Sequence, residues 1–166
     1  IEDYKLDSIL SPLVYGYKTK KIISCGGNVS KFFLTTRNIT SIDITQSPNI
    51  DFLSGVSIFA SRDIFIKTGL FPEEYFMYYE DVDLCIKAKN NNIDCYIVDN
   101  VKIVHDFSSS FSGKFKFKKI FSKFKSLLTF VYLNNKFILF IPVLLFHLVL
   151  FPVYLIIYSM KVIFRK

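Results

Sequence analysis

Apolar and polar positions change rhythm several times along the chain. Residues 14–17 and 21–24 have short-strand character, Gly26-Gly27-Asn28 reads as a turn, and residues 35–49, rich in Thr, Ser, Asn and Ile, read as an irregular loop. Residues 52–60 form a mostly apolar run broken by Ser54-Gly55, which predicts a buried strand that another backbone or a ligand approaches closely. Ser61 can cap a short helix running to Thr68, and Gly69 can end it. After an aromatic loop over 70–79, a helix opening at Glu80 or Asp81 places Val82, Cys85 and Ile86 on one face. Its acids come early and Lys87 and Lys89 late, which suits the helix dipole, and 90–92 end it. Residues 94–98 and 101–105 predict two short strands around an Asp99-Asn100 turn.

Beyond a serine-rich loop at 107–114, residues 115–128 alternate Lys with Phe, Ile and Leu, the pattern of a basic amphipathic helix facing a membrane. Asn134-Asn135 then separate it from residues 137–160, a stretch without formal charge. As a helix this stretch would reach roughly 36 Å, against a hydrocarbon core of about 30 Å, so a single transmembrane helix is expected. Pro142 and Pro152 would kink it, and a helix lying in the interface or re-entering one leaflet is the alternative. The expected organisation is a globular part over 1–113, a juxtamembrane helix over 114–135 and a membrane segment over 136–166.

Charge supports that division. All 14 Asp and Glu lie at or before Asp106 beside 11 Lys and Arg, whereas residues 107–166 hold ten Lys and Arg and no acid. The net +7 therefore belongs to the tail, which points to an anionic membrane surface and away from nucleic acid. Lysines concentrated before the apolar stretch place the N-terminal side in the cytoplasm, so the expected location is the cell membrane with the catalytic part cytoplasmic. Cys25, Cys85 and Cys95 form no Cys-x-x-Cys pair and are expected to be free.

The candidate chemistry sits where Glu80, Asp81 and Asp83 crowd a helix start behind Tyr78 and Tyr79, with His105 closing a strand about two dozen residues later. Carboxylates there suit proton abstraction from a hydroxyl, and a strand-end imidazole suits a metal. The bland alternatives are helix capping by the acids and a structural histidine.

In order, Ser54-Gly55, Arg62-Asp63, Thr68-Gly69-Leu70-Phe71, Glu-Glu-Tyr-Phe-Met-Tyr-Tyr-Glu-Asp-Val-Asp-Leu and a strand ending in Val-His resemble the family 2 glycosyltransferases, above all the bacterial rhamnosyltransferase-like members. The resemblance covers about residues 20–113. It implies an α/β GT-A fold, a nucleotide-diphosphate sugar as donor and a divalent cation, Mn or Mg. It maps the catalytic base onto the Glu80-Asp81 pair, with Asp81 the base, and His105 onto the metal site. Ser54, Gly55, Tyr78, Tyr79 and Asp83 fall at substrate-binding positions. The family's first half, with its nucleotide pocket and metal-binding Asp-x-Asp, has no counterpart here. The chain is thus expected to be a C-terminal half that needs an N-terminal half in cis or in trans.

The expected function is inverting sugar transfer to a glycan or lipid-linked acceptor in cell-surface polysaccharide synthesis. A non-catalytic remnant, or a membrane-bound partner of a separate N-terminal polypeptide, is the alternative.

Overall fold

The computed structural model describes residues 7–41, 50–106 and 116–163. The elements in chain order are strands β1 (Ile9–Gly16), β2 (Ile22–Ser24), β3 (Gly27–Val29) and β4 (Thr36–Asn38), helices α1 (Arg62–Lys67) and α2 (Glu80–Asn90), strand β5 (Cys95–His105), helix α3 (Lys116–Leu133), a 3-10 turn (Phe137–Leu139) and helix α4 (Phe140–Ile163). The content is mixed α/β. A three-stranded sheet has the order β2-β1-β5, with β5 parallel and β2 antiparallel to β1, and β3 and β4 form a separate antiparallel pair. β1 is central and buried at six of its eight positions, as expected of a strand covered on both faces.

Residues 94–98 and 101–105, expected as two strands around a turn, are one strand. β5 runs parallel to β1 throughout, with Pro12 opposite Val98 and Leu13 opposite Lys102, so residues 99–101 are accommodated as a shift of register. The shift falls at Pro12, whose nitrogen has no hydrogen to give to the ladder. The turn signal in Asp99-Asn100 was real, but it marks a bulge.

The run over 52–60 is less regular than its composition predicts. It makes only isolated bridges, Phe52 to Gly27 and Phe59 to Leu10, on either side of a turn at Gly55. α1 follows the expected punctuation: Ser61 caps it by accepting from the Ile64 N–H at 3.3 Å, Thr68 closes it, and Gly69 turns away at φ +81°.

The tail differs most from expectation. Among the described residues no helix is long and apolar enough to cross a membrane, so the C-terminal transmembrane helix expected over 136–166 is not part of this fold. The apolar stretch opens as a separate 3-10 turn, behind Asn135 in the left-handed region at φ 52°. The first turns of α4 then pack on protein. Val143 is fully buried, and Phe146 stacks on Phe33 with ring centroids 4.2 Å apart.

α3 buries apolar side chains of its second half in the protein core. Leu127, Phe130 and Val131 belong to the same core as Ile9, Leu53, Leu84 and Ile93. The Phe130 ring lies 5.6 Å from that of Tyr79, and Ser126 Oγ donates to the Met77 carbonyl at 2.7 Å. Burying three such side chains contributes about 5–8 kcal/mol before the ordering cost, more than a loosely held surface helix would gain. The serine-rich loop at 107–114 lies outside the described residues. The three cysteines are free.

Candidate active site

The site is assembled by a loop lying along one helix. Two backbone N–H groups of the 52–56 segment meet two α2 side chains one turn apart. Leu53 N–H donates to Cys85 Sγ at 3.3 Å, and Gly55 N–H donates to Asp81 Oδ2 at 2.9 Å. The spacings agree, since two residues of extended chain advance about 6.6 Å and four residues of helix about 6 Å. Ser54, between the two contacts, lines the cleft.

This close approach leaves little room for a side chain at Gly55. A Cβ added there would lie 3.3 Å from both Cβ and Oδ2 of Asp81, tighter than ordinary side-chain contact. The two letters of the Ser54-Gly55 motif therefore have separate physical reasons.

α2 begins abruptly. Its N-cap is Tyr79, with no side-chain cap, and Tyr78 and Tyr79 both lie in the left-handed region at φ 72° and 69°. For two successive tyrosines this costs of order 1–3 kcal/mol each. Packing holds them there: Tyr79 is buried and its hydroxyl donates to the Leu34 carbonyl at 2.8 Å. The resulting corner turns the Asp81 carboxylate toward the Gly55 loop.

The carboxylate itself does not cap the helix in the usual manner. Oδ1 accepts from the Val82 N–H at 2.9 Å while Oδ2 reaches across to Gly55. Burial pushes the Asp81 carboxyl above the usual aspartate range. The Gly55 and Val82 N–H groups, and more weakly the Lys123 ammonium, oppose that shift without cancelling it. Glu80 is raised as well, first by burial and further by the charge of Asp81. Raised proton affinity in a partly enclosed carboxylate is the property a general base needs.

Asp81, Glu80, Tyr78, Tyr79, Ser54, Gly55 and His105 all line one cavity of about 520 Å³. A second cavity of about 380 Å³ adjoins it, sharing Asn38, Ser54, Val56 and His105 and adding Tyr17, Lys18 and Asp106. The cleft is thus two-lobed, with His105 and Ser54 between the lobes. Seven of the eight residues expected from the sequence meet here.

Asp83 is placed elsewhere. It is fully buried and lines neither lobe; Lys87 Nζ sits 2.7 Å from Oδ2 and Asn134 Nδ2 donates to Oδ1 at 2.6 Å. Its observed contacts tie α2 to the end of α3. Helix periodicity explains the difference, since residues 81 and 83 lie about 200° apart around a helix.

Sequence reading missed Lys119 and Lys123, which α3 brings to the wall of the larger lobe. Their spacing of four residues puts them on one face, a signal lost within a lysine run that ordinarily reads as a solvated or membrane-facing surface. The divalent cation implied by the resemblance finds no complete site here. Among the described residues no group of three or more His, Cys, Asp or Glu side chains is placed to hold a metal.

No family model matches the chain. Over 55 residues it is 33% identical to the low-salt glycan biosynthesis hexosyltransferase Agl10 of Haloferax volcanii, a stretch covering 31% of this chain and 18% of that protein. The chain thus matches less than a fifth of that relative's length. The similarity supports a glycosyltransferase-like relationship.

Proposed function

We propose that this chain supplies the catalytic base and acceptor side of an inverting glycosyltransferase, moving a sugar from a nucleotide-diphosphate donor to a glycan or lipid-linked acceptor. The observation that carries this reading is the Asp81 carboxylate, fixed by the Gly55 N–H at the wall of a cleft large enough for a sugar. An acceptor hydroxyl donates its hydrogen to Asp81 as its oxygen forms a bond to the anomeric carbon. The bond from that carbon to the diphosphate breaks, the electron pair leaves with the diphosphate, and the proton remains on Asp81. Burial holds the proton affinity of Asp81 up, and the Asp81 charge in turn raises that of Glu80 beside it. The nucleotide pocket is assigned to a further segment, in cis or in trans.

Asp81→Asn tests this in an assay that includes the nucleotide-binding segment. Turnover should fall by about 10²–10⁴, with donor KM little changed, because only the proton acceptor is lost. Glu80→Gln should be milder. Turnover of Asp81→Asn within a few-fold of the parent would sink the assignment.

The proposed setting is a membrane surface, with the chain lying on the bilayer and not crossing it. Ile141, Leu145, Leu148, Val149 and Val153 are all exposed, at spacings that make one stripe on α4, and the lysine-rich α3 supplies charge complementary to anionic lipid. Sedimentation with vesicles containing phosphatidylserine should be lost in Ile141→Glu/Leu145→Glu and weakened by salt. Equal sedimentation of parent and variant would refute surface attachment through α4.

A further inference from the structure

We propose that Lys119 and Lys123 form an anion subsite in the larger lobe of the cleft, taking a phosphate group of the donor or acceptor beside Asp81. The identity of the ligand rests on the glycosyltransferase reading; the subsite itself rests on the placement of the two lysines.

Both side chains lie on one face of α3 and line the cavity that holds Asp81, Glu80 and Tyr78. Ser126 and the buried Leu127, Phe130 and Val131 fix α3 against the core, so the lysines are carried on a packed element. This distinguishes them from a solvated lysine run. The Lys123 residue is open to solvent, yet its ammonium stands in surroundings dense enough to push its pKa down. Desolvation is the main cause, the Lys119 charge adds to it, and Asp81 opposes both. Two like charges have therefore been brought together on the wall of one cavity, beside the Asp81 carboxylate. A phosphate or diphosphate entering that cavity would accept charge-assisted hydrogen bonds from both ammonium groups.

Lys87 shows what a structural lysine looks like in the same protein. It lies on α2 one turn from Asp83 and meets that buried carboxylate at 2.7 Å. Lys123 instead lines the cavity, where the charge of Asp81 acts on it. In the proposed transfer, negative charge accumulates on the departing diphosphate. Fixed ammonium groups in the same cavity would stabilise it without reorganisation.

The test is calorimetric titration of the full chain with inorganic pyrophosphate at low ionic strength. Lys119→Gln and Lys123→Gln should each weaken binding by about tenfold, and the double variant should abolish it, whereas Lys123→Arg should retain it. Circular dichroism confirms that each variant is folded. Uridine diphosphate and a short-chain alkyl phosphate then separate the two sources. The probe whose affinity depends on Lys123 identifies the donor or the acceptor as the natural occupant. Failure of the folded parent to bind pyrophosphate, or unchanged affinity in the double Gln variant, overturns the proposal. Binding is read without turnover, so that failure leaves the Asp81 assignment standing, and an active Asp81→Asn would leave the subsite standing.

Discussion

Gly55→Ala probes the geometry of the base more finely than removal of the carboxylate. The new methyl would sit 3.3 Å from Cβ and Oδ2 of Asp81, so the loop or the carboxylate must retreat by a few tenths of an ångström. The backbone at Gly55 is not left-handed, and alanine adds contact pressure without dihedral strain. What is lost is part of the 2.9 Å hydrogen bond from the Gly55 N–H to Oδ2. A hydrogen bond to a charged group contributes about 1.5–3 kcal/mol net, and weakening it by roughly half removes about 1 kcal/mol. In kcat/KM this is roughly fivefold, well short of the effect of Asp81→Asn. The same bond stabilises the ionised carboxylate, so weakening it raises the Asp81 pKa further. The acidic limb of the kcat/KM profile should therefore move to higher pH in the variant. Steady-state kinetics across pH, with the nucleotide-binding segment present, read both effects. Parental kcat/KM together with an unmoved acidic limb would show that the Gly55 contact does not hold the base.

Stability should also depend on pH in a defined direction. Asp81 and Glu80 have folded-state pKa values above their ordinary values of 3.8 and 4.5, so the folded protein holds their protons more tightly than the unfolded chain. Their contribution is most favourable when both are protonated, falls as pH rises from those ordinary values through the raised ones, and is fully lost above them. Urea unfolding at stepped pH should show that decline, and Asp81→Asn/Glu80→Gln should flatten it; an unchanged slope in the double variant counts against the assigned cause. Asn134→Ala should cost about 2 kcal/mol in urea unfolding, because it leaves Oδ1 of the fully buried Asp83 without the 2.6 Å donor. A loss below about 0.5 kcal/mol would mean that Asp83 is satisfied by Lys87 alone.

Local punctuation was legible in the sequence because its causes are local. The Ser61 cap, the Gly69 stop, and the crowd of acids opening α2 each depend on residues within a few positions. What could not be read was which partner each apolar surface would find. The Lys-Phe alternation of α3 specifies an amphipathic helix and nothing about what its apolar side will meet, which at Phe130 is the ring of Tyr79. The same ambiguity misled the reading of α4 as a span, since one side of it packs at Val143 and Phe146 while Ile141, Leu145 and Leu148 stay exposed. Strand character is legible only from residue 14, whereas β1 begins at Ile9 and carries Pro12 inside its buried run, opposite the register shift in β5. At the site, Asp81 and Gly55 were legible as motif letters, but their hydrogen bond joins positions far apart in sequence. Asp83 carried the same letter as Asp81 and was grouped with it, although helix geometry sends it toward the core. Lys119 and Lys123 became visible only once α3 was docked.

The parallel pairing of β1 with β5 has a consequence for the order in which the protein is made. Ile9 meets Cys95, and Gly16 meets His105, so the central strand leaves the ribosome long before its main partner exists. Until then Ile9, Leu13 and Val14 have only the short β2 beside them, and their apolar side chains are available to other nascent chains. The Asp81–Gly55 contact joins closer segments and can form first. The cleft around it is finished last, when β5 delivers His105 and α3 swings in with its lysines. A chain cut between the end of α2 and Cys95 should therefore keep the base but leave the apolar side chains of β1 without their main partner strand, which makes the length of the translated product a condition for the chemistry as much as any side chain in the cleft.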